Sequence, residues 1–200
     1  MRIGVLAIQG DVREHLQHVA SAGAQAASVR TVSELAQVQG LIIPGGESTT
    51  IGMLMQEEGL IEAIQKRVAE EAFPVYGTCA GLILLAKEVI GKSPARLGLM
   101  DIVADRNAYG RQVASFEAPL TIAGIPGETF LAVFIRAPQI TKLGPDVTPL
   151  AYHQGQVVMA QQGSLLVSSF HPEMTPDIRV HQYFINKVAQ PIVRNATGAS

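Results

Sequence analysis

The fold is decided by one stretch of the sequence, Val75-Tyr76-Gly77-Thr78-Cys79-Ala80-Gly81-Leu82-Ile83-Leu84-Leu85. Its first residues predict a buried strand, the glycines on both sides of the cysteine predict a tight turn, and the apolar end predicts a helix. Cys79 would then lie at a helix N-terminus, where unpaired N–H groups and the helix dipole stabilise the thiolate, the reactive form. The pattern is the cysteine analogue of the G-x-S-x-G nucleophile elbow. A lone cysteine is otherwise more often an inert buried thiol, but this strand–turn–helix frame favours a nucleophile.

Strand-like and helix-like segments alternate on the N-terminal side of this elbow. Residues 3–8 form a continuous apolar run, typical of a parallel strand covered on both faces. Asp11 then begins a helix, with Glu14 as its capping-box partner. A later strand, residues 40–43, leads to a helix with three candidate N-caps, Ser48, Thr49 and Thr50.

The alternation of β and α segments predicts a single-domain α/β fold with a doubly wound, flavodoxin-like sheet, mostly parallel or mixed and flanked by helices. The helix after the elbow is predicted to run to about Ile90. Beyond Gly91 the segments are short, strand-like and separated by glycine and proline turns, which predicts a small antiparallel extension. We expect the domain to span residues 1–190 and residues 191–200 to form a frayed C-terminal tail.

Composition narrows the class of protein. The 200 residues are 48% hydrophobic and 16% charged, with a formal net charge of −2, which suits one well-packed domain. Lysine and arginine are scattered, so no basic surface for nucleic acid is predicted. No apolar stretch approaches the roughly 20 residues of a membrane span. A single cysteine excludes an internal disulfide and suits a reducing compartment, so we expect a cytoplasmic protein.

A nucleophilic cysteine needs a base, and His171 is the best candidate among the five histidines. It follows the apolar strand at residues 165–170, so it lies at a strand end, as Cys79 does. Glu173 is two residues further on and can fix the tautomer of the imidazole, which completes a nucleophile, base and orienter. A simple His-Pro turn with an exposed glutamate is the alternative for this motif taken alone.

The other histidines carry weaker signals. His15 and His18 lie three residues apart on the first predicted helix, but no third ligand suggests a metal site, so a solvated or partner-facing role is expected. His153 and His181 occur in polar surroundings without a motif.

A glycine pair follows the predicted strand at residues 40–43, within Pro44-Gly45-Gly46-Glu47-Ser48. Glycines there free backbone N–H groups to face a ligand, but the segment lacks the spacing and the lysine of a P-loop. An oxyanion hole is the better interpretation, because acyl transfer through a cysteine creates an oxyanion. The N–H of Ala80, at the start of the elbow helix, is a second candidate donor.

Three motifs together resemble the class I (triad) glutamine amidotransferases: Gly77-Thr78-Cys79-Ala80-Gly81, Pro44-Gly45-Gly46 and Phe170-His171-Pro172-Glu173. Between Met1 and about Val188 the chain is also similar to a narrower family, the glutaminase subunits of pyridoxal 5′-phosphate synthase. The segments that carry this second resemblance are Gln9-Gly10, Arg13-Glu14-His15, Pro44-Gly45-Gly46-Glu47-Ser48-Thr49-Thr50, Arg106-Asn107-Ala108-Tyr109-Gly110-Arg111-Gln112, Ser115-Phe116-Glu117 and Phe134-Ile135-Arg136-Ala137-Pro138.

The resemblance implies that Cys79 attacks the side-chain amide of L-glutamine, with His171 as base and Glu173 as orienter, and with no metal and no cofactor. It places the oxyanion at the backbone of Gly46 and Ala80. The implied glutamine contacts are Gly46, Glu47, Ser48, Arg106, Ile135 and Arg136. An arginine suits the α-carboxylate of glutamine, and Glu47 or backbone carbonyls suit its α-ammonium group. Ordinary surface salt bridges are the alternative for the two arginines.

The resemblance also implies a partner, a barrel-shaped pyridoxal 5′-phosphate synthase subunit that takes up the ammonia within a large hetero-oligomer. Glutaminase activity could depend on docking, if docking completes the oxyanion hole near Gln9-Gly10 and Gly46. Two other functions are open at this point. One is a γ-glutamyl hydrolase or cysteine peptidase on the same scaffold, and the other is a non-catalytic regulatory or binding subunit.

Overall fold

The computed structural model describes residues 1–91, 95–106 and 115–198, with side chains described as far as residue 194. Within these residues the strands are β1 (Arg2–Leu6), β2 (Gln25–Val29), β3 (Gly40–Ile43), β4 (Val75–Thr78), β5 (Ala86–Ile90), β6 (Met100–Asp105), β7 (Ser115–Leu120), β8 (Phe130–Ile135), β9 (Gln139–Leu143), β10 (Thr148–His153), β11 (Gln156–Gln162) and β12 (Leu165–Ser168). The α-helices are α1 (Val12–Ser21), α2 (Val32–Leu35), α3 (Ser48–Glu57), α4 (Leu60–Glu71), α5 (Ala80–Leu85), α6 (Arg179–Tyr183) and α7 (Gln190–Gly198). A 3₁₀ turn covers Pro172–Met174, and a π-helical segment, Phe184–Ala189, joins α6 to α7.

The main sheet has the strand order β2-β1-β3-β4-β12-β11-β9-β6-β5 within the described residues, with β10 paired to β11. The first five strands of this order run parallel to one another. Strand β11 runs antiparallel to β12 and to β9, and β7 and β8 form a separate antiparallel pair. The predicted α/β fold, with a mixed sheet flanked by helices and a small antiparallel part, is therefore confirmed.

Both faces of the parallel strands are covered by apolar side chains, which explains their continuous hydrophobic sequences. Strand β3 shows this most simply: Leu41 and Ile43 belong to the core under α3 and α4, whereas Ile42 belongs to the core under α1 and α6. Tyr76 of β4 lies in the second core and is fully buried.

The predicted extent of the elbow helix is wrong. Helix α5 ends at Leu85, and Ala86 turns into the extended strand β5, which pairs with β6 at the edge of the sheet. An apolar run of this length does not by itself distinguish helix from strand, and pairing with β6 decides the outcome. Strand β9, which lies between β11 and β6, is not predicted from the sequence at all.

The C-terminal residues that were expected to form a tail lie mostly in helix α7. The fraying of that tail and the domain limits both stay predictions. In the part of the chain that the structure describes, none of the helices combines the length and the apolar character needed to cross a bilayer.

The parallel strands β1, β3, β4 and β12 end at one edge of the sheet, and the segments that follow them meet there. These segments carry Gln9, Gly46, Cys79 and His171. The chain goes from β1 to β2 on one side of β1 and then returns to β3 on the other side. A ligand crevice is expected outside the strand ends at such a switch point.

Candidate active site

Cys79 lies on a strained turn between β4 and α5. Its φ of 47° and ψ of −99° lie in a region that non-glycine residues rarely adopt. Its N–H donates to the carbonyl of Ser168 at 2.9 Å, which ties the turn to β12. A Cβ on Gly77 would lie 2.5 Å from the carbonyl carbon of Gly81, and a Cβ on Gly81 would collide with the carbonyl oxygen of Ile43. The two glycines of the predicted elbow are therefore required by close backbone approach.

His171 and Glu173 follow β12 and form a buried pair. The backbone N–H of His171 donates to the carbonyl of Val133 at 2.8 Å, which fixes this segment against β8. The Nδ1–H of its imidazole donates to Oε1 of Glu173 at 2.8 Å. Gly45 provides the space for the ring, since a Cβ there would collide with the imidazole. Both predicted partners of the cysteine are thus brought to the same strand ends.

The imidazole of His171 is set up to hold a proton. Burial lowers its pKa, but interaction with the thiol of Cys79 and the hydrogen bond to Glu173 outweigh burial and raise the pKa to about 10. Nε2 of His171 nevertheless has no partner in hydrogen-bond geometry among the described residues, and the thiol donates weakly to the carbonyl of Ile135 at 3.8 Å. The thiol therefore acts on the ring as an electrostatic neighbour in this state, not as a hydrogen-bond donor.

Glu173 is ionised behind the imidazole. Burial raises its pKa, but the nearby imidazole of His15 and the hydrogen bond and charge of His171 together lower the pKa by more, so that the net shift is downward. Its side chain is buried and does not line the cavity at the strand ends. Glu173 therefore acts on the site through His171, not by contact with a ligand.

A cavity of about 480 Å³ opens in front of Cys79 and His171. This volume lies within the range of about 300–1,000 Å³ typical of small-molecule sites. Its walls contain every residue that the sequence predicts as a glutamine contact or oxyanion donor: Gly46, Glu47, Ser48, Ala80, Arg106, Ile135 and Arg136. The remainder of the motif that begins at Arg106, residues 107–112, lies outside the described residues.

The predicted N-cap of α3 is wrong: the cap is Glu47, and not Ser48, Thr49 or Thr50. Its carboxylate accepts from the N–H of Thr49 at 3.1 Å and of Thr50 at 2.7 Å. Burial raises its pKa, but the hydrogen bonds from Thr49 and Thr50 together outweigh burial and lower the pKa to about 2. Nη2 of Arg106 lies 3.3 Å from Oε1. The structure thus holds an exposed, permanently ionised carboxylate and a guanidinium side by side at the cavity wall.

Two segments are placed to bind an oxyanion. One is the loop at Gly46, which Gln9 contacts, and the other is the first turn of α5. Oε1 of Gln9 accepts from the N–H of Glu47 at 2.9 Å. Gly46 has a φ of +152°, and a Cβ there would collide with the same Oε1. Ala80 is the first residue of α5, where the N–H has no acceptor within its own helix.

The segment that follows β8 closes the cavity from the other side. Arg136 has a φ of 43°, an uncommon value for a residue with a side chain, and its side chain is exposed. The turn at Arg136 presents the carbonyl of Ile135 to the thiol of Cys79.

Asp11 is a cavity residue that the sequence does not predict. The expected capping box with Glu14 is absent: Asp11 precedes α1, but its side chain makes no capping hydrogen bond. Instead, Oδ2 lies 3.6 Å from Nδ1 of His171. Burial and the charge of Glu173 raise the pKa of Asp11 against the opposing effect of His171. A second carboxylate therefore faces the base.

The expectation of exposed or partner-facing histidines on α1 is wrong for His15, which is fully buried. His181, expected in polar surroundings, is also fully buried, and its Nε2 lies 2.9 Å from Nδ1 of His15. His18 is partly buried and contacts the carbonyl of Thr175 at 2.8 Å through Nε2. No single-sequence pattern marks these contacts, because they depend on how α1 and α6 pack.

Among the described residues, one group has the geometry to hold a metal ion, namely Asp11, His171 and Glu173, whose ligand atoms lie within 4.8 Å of one another. An ion there would need Nδ1 of His171, the atom that already donates to Glu173. The arrangement therefore fits an oriented base better than a metal centre.

Comparison with known proteins agrees with this geometry. A family model described as the SNO glutamine amidotransferase family matches residues 5–190. The pyridoxal 5′-phosphate synthase subunit PdxT of Pasteurella multocida is 53% identical over 186 residues, which cover 92% of this chain and 95% of that protein. The protein of the same name from Moorella thermoacetica is 51% identical over 188 residues, 94% of this chain and 100% of that protein.

A solved structure extends this similarity to three dimensions. A crystal structure described as a glutamine amidotransferase has a TM-score of 0.89 and 47% identity, and the match covers 94% of this chain and 98% of that one. Because the family model matches residues 5–190, nearly the whole of this chain, the chain belongs to the SNO glutamine amidotransferase family.

Proposed function

We propose that this protein hydrolyses L-glutamine to L-glutamate and ammonia, and that it supplies the ammonia to a pyridoxal 5′-phosphate synthase subunit. The observation that carries the proposal is the convergence of Cys79 and His171 on one cavity, with Glu173 buried on Nδ1 of the imidazole. Family membership and the names of the relatives support the substrate and the pathway.

The reaction divides into acylation and hydrolysis. The proton of Cys79 passes to Nε2 of His171, whose raised pKa favours the protonated ring, and the sulfur attacks the side-chain amide carbon of glutamine. The tetrahedral intermediate collapses with release of ammonia, which takes the proton from His171, and leaves a γ-glutamyl thioester. A water molecule, deprotonated by His171, then attacks the thioester, and the thiol and glutamate are released. Glu173 keeps Nδ1 protonated, so that Nε2 is the nitrogen that exchanges the proton.

The oxyanion of both intermediates would be stabilised by the N–H groups of Gly46 and Ala80. One precedes Glu47 in the loop after β3, and the other begins α5, where the positive end of the helix favours a negative charge. The two donors come from neighbouring parallel strands, so they approach the amide from adjacent sides of the same strand ends.

Recognition of glutamine would use the charged rim of the cavity. Arg106 and Arg136 provide cations for the α-carboxylate, and the ionised Glu47 provides an anion for the α-ammonium group. Ser48 and the backbone at Ile135 complete the proposed contacts. In this state Arg106 pairs with Glu47, and a zwitterionic α-amino acid could separate the pair and satisfy each charge with one of its own.

Ammonia release from glutamine by the purified protein, with and without Cys79→Ala, tests the reaction. Cys79→Ala should abolish turnover while leaving the fold and partner binding intact, because the strained elbow is held by backbone contacts. Retained ammonia production in this variant would overturn the mechanism. Cys79→Ser is a matched control that keeps size and hydrogen bonding but not the nucleophilicity of a thiol.

The same assay separates the alternatives. A γ-glutamyl hydrolase or a cysteine peptidase would cleave γ-glutamyl peptides or proteins in preference to free glutamine. A non-catalytic subunit would release no ammonia even with its partner present. The charged rim formed by Glu47, Arg106 and Arg136 favours a substrate with free α-carboxylate and α-ammonium groups, which an internal residue of a protein lacks.

The proposed partner is a barrel-shaped synthase subunit, which would bind this chain in the cytoplasm and form a large hetero-oligomer with it. Direct transfer would protect ammonia from protonation and loss to water. Co-purification with a candidate synthase, followed by glutamine-dependent formation of pyridoxal 5′-phosphate, tests the partnership. Equal glutaminase rates with and without the synthase would rule out activation by docking through the Gln9–Gly46 region.

A further inference from the structure

A pair of buried histidines lies directly behind Glu173. Nε2 of His15 lies 3.3 Å from Oε2 of Glu173 and 3.3 Å from Oγ1 of Thr78. Nδ1 of His15 lies 2.9 Å from Nε2 of His181. His15, Thr78 and His181 are fully buried, so water does not compete for these contacts. The carboxylate of Glu173 is therefore faced by an imidazole at each oxygen, by His171 at Oε1 and by His15 at Oε2.

The charge states of these groups follow from their surroundings. Burial lowers the pKa of His15 against the attraction of Glu173, and burial lowers the pKa of His181 well below its ordinary value. Both imidazoles are therefore neutral near pH 7, with one N–H donor and one acceptor nitrogen each. Glu173, whose pKa is lowered, is an ionised acceptor.

Hydrogen-bond accounting then selects one pair of tautomers. If His15 carries its proton on Nε2, the N–H faces Thr78 and Glu173, and Nδ1 accepts from the Nε2–H of His181. The reverse assignment would turn the lone pair of His15 towards the anionic Oε2. It would also leave an N–H on Nδ1 of His181, a buried atom without a partner among the described residues. A buried donor without an acceptor is costly, so the first assignment is favoured.

The contact between His15 and Glu173 is electrostatic in character. Oε2 of Glu173 has no partner in hydrogen-bond geometry within the described part of the chain, although Nε2 of His15 is within ion-pair distance. The Nε2–H of His15 faces two acceptors, Oε2 of Glu173 and Oγ1 of Thr78, and its better-aligned contact is the one to Thr78. A donor at this place still opposes rotation of the carboxylate, because any turn that brings Oε2 away from His15 also moves Oε1 away from His171.

We propose that His15, oriented by His181, is a positioning residue of the glutaminase reaction: its Nε2–H holds the carboxylate of Glu173 where that carboxylate orients His171. This inference rests on the proposed function, because it assumes that His171 is the base. His15 does not line the cavity, so it acts on the reaction through Glu173 and not by contact with the substrate. Helix α1 thereby contributes to the site from behind, in addition to the Gln9–Asp11 segment that precedes it.

The test uses two substitutions that differ in where they place an amide. The amide nitrogen of glutamine occupies about the position of Nε2 of histidine, whereas that of asparagine corresponds to Nδ1. We expect His15→Asn to lower kcat by about 10- to 100-fold, about the effect of removing one N–H donor from beside a charged group, with KM for glutamine nearly unchanged. We expect His15→Gln to restore kcat to within about fivefold of the wild type. Equal kcat losses in both variants, or wild-type kcat in His15→Asn, would overturn the proposal.

The assay is run with the synthase subunit present, and circular dichroism with thermal unfolding checks that both variants fold. A second measurement does not depend on turnover or on the variants: ¹⁵N NMR of histidine-labelled wild-type protein. The proposal requires the Nε2–H tautomer at His15, and the Nδ1–H tautomer would overturn it.

If the proposed function itself fails, the wild type and Cys79→Ala release equally little ammonia. If only the present inference fails, Cys79→Ala is inactive while His15→Asn is not impaired.

Discussion

Glu173→Gln tests the orientation of the base most directly. The substitution keeps the size of the side chain but replaces an acceptor-only carboxylate by an amide with one acceptor and one donor end. In the wild type the Nδ1–H of His171 donates to Oε1 at 2.8 Å, and Nε2 of His15 lies 3.3 Å from Oε2. The single amide oxygen can face only one of these two imidazoles.

The magnitude follows from the two contacts. If the oxygen faces His171, a charge-assisted hydrogen bond becomes neutral and the NH₂ group faces His15. If the NH₂ group faces His171, the tautomer that leaves Nε2 free to accept a proton from Cys79 is lost. A hydrogen bond to a charged group contributes about 1.5–3 kcal/mol, and an unsatisfied buried donor costs about 1–3 kcal/mol. A net loss of about 2–4 kcal/mol in the transition state lowers kcat by roughly 30- to 900-fold.

The assay is steady-state ammonia release from glutamine with the synthase partner present. Because Glu173 does not line the cavity, KM should change by less than about threefold. Glu62→Gln makes the same chemical change on the exposed side of α4 and should alter neither constant. A kcat for Glu173→Gln within about threefold of the wild type, or a loss confined to KM, would refute the reasoning that this carboxylate orients the base.

The remaining predictions concern the charged rim and the proton on the base. Arg106→Ala should raise KM for glutamine roughly 10- to 150-fold with little change in kcat, since a charge-assisted hydrogen bond contributes about 1.5–3 kcal/mol; an unchanged KM would contradict a role of Arg106 in binding glutamine. The pKa of His171, about 10, should fall towards its ordinary value of 6.5 in Cys79→Ala, because the interaction with the thiol is lost while burial stays. Because the folded value exceeds the unfolded one, the protonated ring stabilises the fold fully below pH 6.5, and this contribution is lost as the pH rises towards 10. NMR titration of the imidazole measures the shift, and a variant that still titrates near 10 would mean that Glu173 alone holds the proton.

The nucleophile and the base could be predicted from the sequence because each is encoded locally. The glycines around Cys79 are adjacent to it in the chain, and the requirement for them comes from backbone atoms of the same turn and of β3. His171 and Glu173 are two residues apart, so their hydrogen bond needs only the short 3₁₀ turn that Pro172 begins. The parallel order of the strands then brings these two local motifs together, and the alternation of β and α segments predicts that order.

The positions of His15, His181 and Asp11 could not be predicted in this way. His15 and His181 are separated by 166 residues, and their contact exists only because α1 and α6 pack on the same face of the sheet. Asp11 has the sequence of an ordinary N-cap, but its side chain faces His171. A local rule gave the wrong partner there because a charged histidine competes for the carboxylate, and nothing near Asp11 in the chain signals that histidine.

The apolar character of α5 explains how the chain tolerates a strained nucleophile. A non-glycine residue with a φ of 47° costs of the order of 1–3 kcal/mol, and such strain persists only where the surrounding structure fixes it. All six residues of α5 are buried. Burial of each of its three leucines and of its isoleucine contributes about 1.5–3 kcal/mol. The free energy gained by packing this short helix therefore exceeds the cost of the strain at its N-terminus several times over. Relaxing Cys79 to an ordinary φ would rotate α5 away from β4 and expose these side chains, and the hydrophobic helix is thus what holds the thiol at the mouth of the cavity.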